Sequence, residues 1–263
     1  TSAPPSNAFE QAPVRPRNSL LPYKAGLLGV RVGEASNPGP LFFSLLSLNV
    51  TNLRERIRSV LDAEASLHAL QEVRIAARSI PMVDHDLEDI KHTALWGKPP
   101  PTVPGSGFGC ENGGVAFLLK KGVPARLIPP ASPDEQRLHD STRYAHAIVS
   151  LGNGGHVMHV INLYLKQGDP QAQEETLAPV LEIAAALGPN VPVVICGDFN
   201  CDPAKSASLV AAVASRRWVD VGADAGATYV GWNSDTRIDA VIANEAAARA
   251  VSKVENFEIP EVP

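Results

Sequence analysis

The sequence predicts an α+β, mixed α/β architecture in which two sheets pack face to face with helices outside. Three observations predict it. Residues 41–50, 67–73 and 191–196 are continuous apolar runs of strand length, as strands buried on both faces require. Helical patterns of about 10–18 residues separate such runs. Residues 144–151 and 156–165 are apolar segments joined by Gly152-Asn153-Gly154-Gly155, a strong hairpin signal.

In chain order, residues 1–40 are expected to be a disordered, Pro-rich leader. Pro4, Pro5, Pro13, Pro16, Pro22, Pro38 and Pro40 interrupt any helix or central strand. Residues 41–50 form the first strand. Asn52 then N-caps a helix whose Leu53, Ile57, Val60 and Leu61 share one face, with Arg54, Arg56 and Arg58 elsewhere. Residues 67–73 are a second buried strand, and 98–107, rich in Pro and Gly, a loop. In residues 113–120, Val115, Phe117 and Leu119 alternate as in a strand. After the hairpin come a helix over 170–187 with Pro near its start, a strand over 191–196 and a short helix over 206–215. A strand over 237–243 and a helix over 245–251 follow. Residues 41–263 make one domain.

Composition excludes several classes. The chain has 263 residues, 44% hydrophobic and 19% charged, which is enough to bury a sizeable core. Lys and Arg number 23 against 28 Asp and Glu, a net charge of −5, so bulk charge does not coat nucleic acid. The first 60 residues are mildly basic, with seven Lys or Arg against three Glu, read as a solvated tail and helix face with a nucleic-acid contact as the alternative. No apolar run approaches the roughly 18 residues of a membrane span, and no membrane partner is expected. Cys110, Cys196 and Cys201 form no CxxC pair, so a reducing, intracellular setting is expected. No signal-peptide pattern opens the chain, which begins at Thr1 and is expected to be a piece of a longer polyprotein.

The chemistry is concentrated at strand ends. Residues 193–203 run from an apolar strand into Gly197-Asp198-Phe199-Asn200, and period two places Asp198 and Asn200 on one face. A carboxylate beside a carboxamide can orient water and hold a phosphate oxygen; the other reading is an Asx turn. Glu72 ends a buried strand, where an oxygen ligand for Mg²⁺ or a surface turn cap would each fit. Asn49 ends the first strand, and Tyr164 lies in Asn162-Leu163-Tyr164. Asp239 sits in an apolar strand and needs a partner, with a salt bridge to Arg237 or another Arg as the alternative.

Leu48-Asn49-Val50, Leu70-Gln71-Glu72, Gly113-Gly114-Val115-Ala116, Asn162-Leu163-Tyr164, Gly197-Asp198-Phe199-Asn200 and Arg237-Ile238-Asp239 together resemble, in order, the blocks of the endonuclease/exonuclease/phosphatase superfamily. Within it the chain looks most like the apurinic-type endonuclease domain of non-LTR retrotransposons. Gly33-Glu34-Ala35-Ser36-Asn37-Pro38-Gly39-Pro40 resembles sequence that precedes that domain in protist elements. The resemblance implies a four-layer sandwich of two sheets flanked by helices, and phosphodiester hydrolysis with Mg²⁺, or Mn²⁺. It implies that Glu72 ligates the metal with support from Asn49, and that Asp198 positions or deprotonates the attacking water. Asn200 would hold the scissile phosphate, Tyr164 would donate to a phosphate oxygen, and Asp239 would orient a catalytic histidine.

Two departures accompany it. The family places a Ser-Asp-His block one strand after the Asp239 position, but none of the seven histidines follows Asp239, so a missing C-terminal strand and an impaired site are expected. Thr51 stands where many relatives carry an acid or amide. The expected function is a nuclear, metal-dependent endonuclease that nicks DNA for retrotransposition. The alternatives are a phosphoesterase acting on phospholipid, inositol phosphate or RNA, and a catalytically impaired nucleic-acid-binding module.

Overall fold

Alternation along each strand decides which side chains meet between the sheets and which meet the helices. The structure is a computed structural model and describes residues 24–30, 43–104, 110–151, 156–230 and 235–258. The elements run β1 (Lys24–Val30), β2 (Phe43–Asn49), α1 (Leu53–Asp62), β3 (Leu67–Gln71), α2 (Ile80–Asp89), β4 (His92–Trp96) and β5 (Val115–Lys120). Next come β6 (Ala125–Leu127), α3 (Pro133–Asp140), β7 (Tyr144–Leu151), β8 (His156–Tyr164), α4 (Pro170–Ala186), β9 (Val193–Asp198) and α5 (Ala207–Ala214). The chain continues with β10 (Trp218–Asp220), β11 (Tyr229–Val230), β12 (Asp235–Thr236), β13 (Asp239–Asn244), α6 (Glu245–Ala248) and β14 (Val251–Glu258).

Two six-stranded mixed sheets result, ordered β14-β1-β2-β3-β5-β4 and β10-β13-β9-β8-β7-β6. In each, one central pair is parallel, β2 with β3 and β8 with β9. Phe43, Leu45, Leu67, Ala69, Phe117, Val149, Val160, Val194 and Val241 fill the space between the sheets. Leu46, Leu48 and Leu70 face the other way, onto Leu53 and Val60 of α1 and Val83 and Leu87 of α2. Ile161, Leu163, Val193 and Ile195 pack on Leu177 and Val180 of α4 and Leu209 of α5. The predicted sandwich with helices on both sides is therefore the fold.

Several boundaries shift for physical reasons. Residues 24–30, inside the segment expected to be a leader, form a strand between β2 and β14, which corrects that expectation for this stretch; the rest of 1–40 and the predicted hairpin turn lie outside the described residues. The predicted strand over 67–73 stops at Gln71, because Glu72 turns left-handed at φ 55°. Asn52 occupies the N-cap of α1 but makes no side-chain cap hydrogen bond. The Leu53 N–H instead donates to the Val73 carbonyl at 3.1 Å, so the helix start is tied to the end of the neighbouring strand. The predicted helix over 245–251 is a single turn, α6, before β14 begins at Val251.

Gly197 is required by close packing. A Cβ there would lie 1.9 Å from the Leu163 backbone oxygen, at φ +150°. Gly114 is constrained similarly: at φ +83°, its Cβ would lie 2.8 Å from Val73 Cγ2. Gly197→Ala is expected to destabilise the fold by at least about 3 kcal/mol, read from urea unfolding, since β8 and β9 must separate to admit one methyl group.

Candidate active site

Five strands deliver polar side chains to one end of the sandwich. Period two turns Asp198 inward with Val194 and Cys196, and Asp239 inward with Val241 and Ala243. Register brings them together: Asp239 pairs with Asp198 across β13 and β9, and Tyr164 lies beside Asp198 across β8 and β9. Asn49, at the end of β2 in the other sheet, donates from Nδ2 to Asp198 Oδ2 at 2.7 Å. The Thr51 N–H donates to Asn49 Oδ1 at 3.0 Å and so fixes the direction of that amide. The sequence-predicted residues thus converge on one rim.

Asp198 is only 3% exposed. Its Oδ1 accepts from the Asn200 N–H at 2.9 Å, so the Asx turn and the site geometry coexist in one side chain. Burial, with a smaller contribution from the Glu72 charge, pushes its carboxyl up to about 6; Asn49, the Asn200 N–H and Arg143 pull it back. Asp239 is held well above the ordinary carboxylate range by burial and then by the Asp198 charge, offset in part by a Thr228 hydrogen bond. Thr228 Oγ1 accepts from the Ile238 and Asp239 N–H groups at 3.0 and 2.9 Å. The alternative salt bridge with Arg237 does not form, because Arg237 pairs with Asp220, and no ion pair of Asp239 with another Arg occurs among the described residues. The histidine that Asp239 was expected to orient is not found among the described residues: His68 and His92 bond backbone carbonyls and His146 bonds His159.

Glu72 is 8% exposed and forms an ion pair with Arg74, so it is not a surface turn cap. Its charge, after burial, raises the Tyr164 hydroxyl to about 12, which keeps that group a hydrogen-bond donor at neutral pH. Asn200 adopts φ 49° and donates from Nδ2 to the Leu165 carbonyl at 2.9 Å. Thr51, Glu72, Arg74 and Asn200 are all left-handed non-glycine residues beside this rim. Such conformations persist only where surrounding structure enforces them, and they gather at functional sites.

Sequence reasoning missed three supports. Arg143 places its guanidinium 4.4 Å from the Tyr164 ring centroid and donates to the Tyr164 and Leu165 carbonyls at 3.4 and 3.5 Å. Asn162 and Gln71 form a fully buried polar layer beneath the rim. Asn162 Nδ2 donates across the sandwich to the Leu70 and Ala116 carbonyls at 2.9 and 3.1 Å, and Gln71 Nε2 donates to Asn162 Oδ1 at 2.6 Å. Their signal was present as polar letters in Leu70-Gln71-Glu72 and Asn162-Leu163-Tyr164, at positions where alternation points inward.

The donor set suits a hard divalent cation. Glu72, Asp198 and Asp239 offer carboxylate oxygens and Asn49 an amide oxygen, and a cation held there would offset the charge that raises the Asp198 and Asp239 carboxyls. No group of three or more His, Cys, Asp or Glu among the described residues could hold a metal by itself.

A model of the Endonuclease/Exonuclease/phosphatase family matches residues 46–260 and spans every strand that builds this rim. The chain belongs to that family. Solved structures repeat the fold. The catalytic domain of human Nocturnin with bound sulfate anion superposes with a TM-score of 0.59 at 14% identity, over 83% of this chain and 85% of that one. The 3' phosphatase NExo from Neisseria, bound to a product DNA hairpin, gives 0.56 at 19% identity over 78% and 88%. An AP endonuclease from Archaeoglobus fulgidus gives 0.54 at 17% identity over 79% and 88%. Comparison with curated proteins gives no match. At these identities the superpositions establish the fold, and family membership establishes the nuclease and phosphoesterase class.

The raised Asp198 carboxyl sets a sign for stability. Its folded value of about 6 lies above the ordinary 3.8, so its favourable contribution is complete below 3.8 and is lost as pH rises to about 6. In metal-free buffer at pH 7.5, Asp198→Asn is expected to stabilise the protein by about 2–3 kcal/mol and to flatten the pH dependence between 4 and 6, measured by urea unfolding.

Proposed function

We propose that this chain is a divalent-metal-dependent phosphodiesterase that nicks DNA, with Mg²⁺ the fitting ion and Mn²⁺ able to replace it. The observation that carries the reading is the buried Asp198 carboxylate, clasped by Asn49 from the opposite sheet, beside the Tyr164 hydroxyl donor and Glu72. In this reading Asp198 orients a water and accepts its proton as the water oxygen bonds to phosphorus and the bond to the leaving oxygen breaks. Tyr164 donates to a non-bridging phosphate oxygen, and Asn200 presents its amide to the same group. Arg143 holds the Tyr164 ring and carbonyl in place. Glu72, with Asn49, would hold the metal, and a bound ion would offset charge growing on the phosphate oxygens. Asp239 holds Asp198 by pairing across the strands, and its carboxylate would orient a histidine brought against it.

DNA as substrate draws support from the NExo structure with its DNA product, and from the likeness of the ordered motifs to endonucleases of non-LTR retrotransposons. The finer reading is that the nick primes retrotransposition, in the nucleus, with the domain working inside a polyprotein. Supercoiled plasmid incubated with Mg²⁺ is expected to become nicked circles, and chelation of the ion with EDTA to stop the nicking. Asp198→Ala should lower the nicking rate by about 100-fold or more and Tyr164→Phe by about 10-fold or more. Plasmid bound in a salt-dependent, Mg²⁺-independent manner with no nicking would favour the binding-module reading instead.

A further inference from the structure

We propose that Gln173, on the first turn of α4, is a positioning residue that holds the turn carrying Asn200 and so fixes where the Asn200 amide points. The inference rests on the proposed function for what that amide does, and it adds a residue that lies outside the ordered motifs.

Gln173 breaks an apolar stripe. It shares the buried face of α4 with Leu177, Val180, Leu181 and Ala184, at helical spacing, and is 5% exposed. A carboxamide in that place is costly unless its donors are used. Both are used, and on two different segments. Gln173 Nε2 donates to the Lys166 carbonyl at 2.8 Å and to the Asn200 carbonyl at 3.2 Å. Lys166 lies in the loop that joins β8 to α4, and Asn200 in the turn that leaves β9. One side chain therefore ties the exits of two neighbouring parallel strands to one helix.

The tie bears on the amide because the other bonds of Asn200 run to these same two exits. Its N–H donates to Asp198 Oδ1 at 2.9 Å, and its Nδ2 donates to the Leu165 carbonyl at 2.9 Å, one residue before Lys166. The second Nδ2 proton is the one that would meet a phosphate oxygen. Its direction depends on the spacing between Leu165 and Asn200, and Gln173 sets that spacing by bonding the carbonyls of Lys166 and Asn200 themselves. The left-handed backbone of Asn200, at φ 49°, needs such support. α4 is a firm base for it, since Leu177 and Val180 pack against Ile161, Leu163, Val193 and Ile195 of β8 and β9. The next residue, Glu174, holds the far end of the segment. Its carboxylate accepts from Ser206 Oγ and from the Ala207 and Ser208 N–H groups at 2.7, 2.9 and 3.1 Å. Adjacent residues of one helix turn thus clamp residues 200–208 at both ends.

The test uses the whole chain and two variants. Gln173→Met keeps the length and loses both donors. Gln173→Asn stays polar but falls one methylene short, and it keeps the result decisive where the apolar variant unfolds. In metal-free buffer, hydrogen exchange at the Asn200 N–H, read by NMR, is expected to quicken about tenfold in either variant, with exchange at Ile195 inside β9 unchanged. With supercoiled plasmid and Mg²⁺, either variant should lower kcat for nicking about tenfold and leave KM within about twofold. Asn200→Gly removes the amide and suits the left-handed backbone. In that background the Gln173 substitution should cost about twofold or less, because the group it aims is gone. A purely structural Gln173 would cost the same factor in both backgrounds. That additivity, or unchanged exchange at Asn200, would overturn the proposal. No nicking by the unsubstituted chain, with Asn200 exchange still responding to Gln173→Met, would count against the proposed function and support the Gln173 tie.

Discussion

The hydrogen bond from Asn49 to Asp198 joins the two sheets at the rim where the candidate site lies. Asn49 belongs to the first sheet and Asp198 to the second, and 2.7 Å separates donor from acceptor. One strand slipping by one residue would turn its inward side chain toward the helices and empty the rim of that group. The apolar filling beneath, from Phe43 to Val241, fixes the spacing between sheets, and the Asn162–Gln71 layer fixes their relative slide. Asn162 is held by bonds to β3 and β5 from its own place in β8, so it can serve as a pin between layers.

Stability and reactivity pull in opposite directions here. Asp198 and Asp239 sit side by side, Asp198 raised by burial and the Glu72 charge and Asp239 by burial and the Asp198 charge, a cost that a hydrophobic core would never carry. Left-handed backbone at Thr51, Glu72 and Asn200 adds strain at the same rim. Both are tolerated because β8, β9 and the strands beside them are buried and hold the rim in register. The same burial keeps the Tyr164 hydroxyl protonated and makes Asp198 a base that changes state near neutral pH, which are the two properties phosphodiester chemistry needs.

Much of this was legible in the letters. Strands such as Val193–Asp198 are continuous apolar runs, and Gly197-Asp198-Phe199-Asn200 announced two polar groups at a strand's end, while the close approach of Leu163 that demands Gly197 shows only in the structure. Other parts gave no pattern. β6 and β10 are three residues each, too short for alternation to register, and β4 reads His-Thr-Ala-Leu-Trp with only partial burial. β1 hides in a Pro-rich segment and is formed by pairing on both sides rather than by its own composition. Arg237 looked like the partner of Asp239, yet the pairing of β10 with β13 places Asp220 where Arg237 reaches it first. Arg143 carried no signal, because its role depends on the cross-strand neighbour that a sequence does not display.

The most direct measurement is a double-mutant cycle on Asn49→Ala and Asp198→Ala, read by urea unfolding of metal-free protein at pH 8, where Asp198 is ionised. Two residues from different sheets that share a short, charge-assisted bond should show a coupling of about 1–3 kcal/mol. A coupling indistinguishable from zero would mean that the two sheets do not meet at this rim, and the account of the site would be wrong.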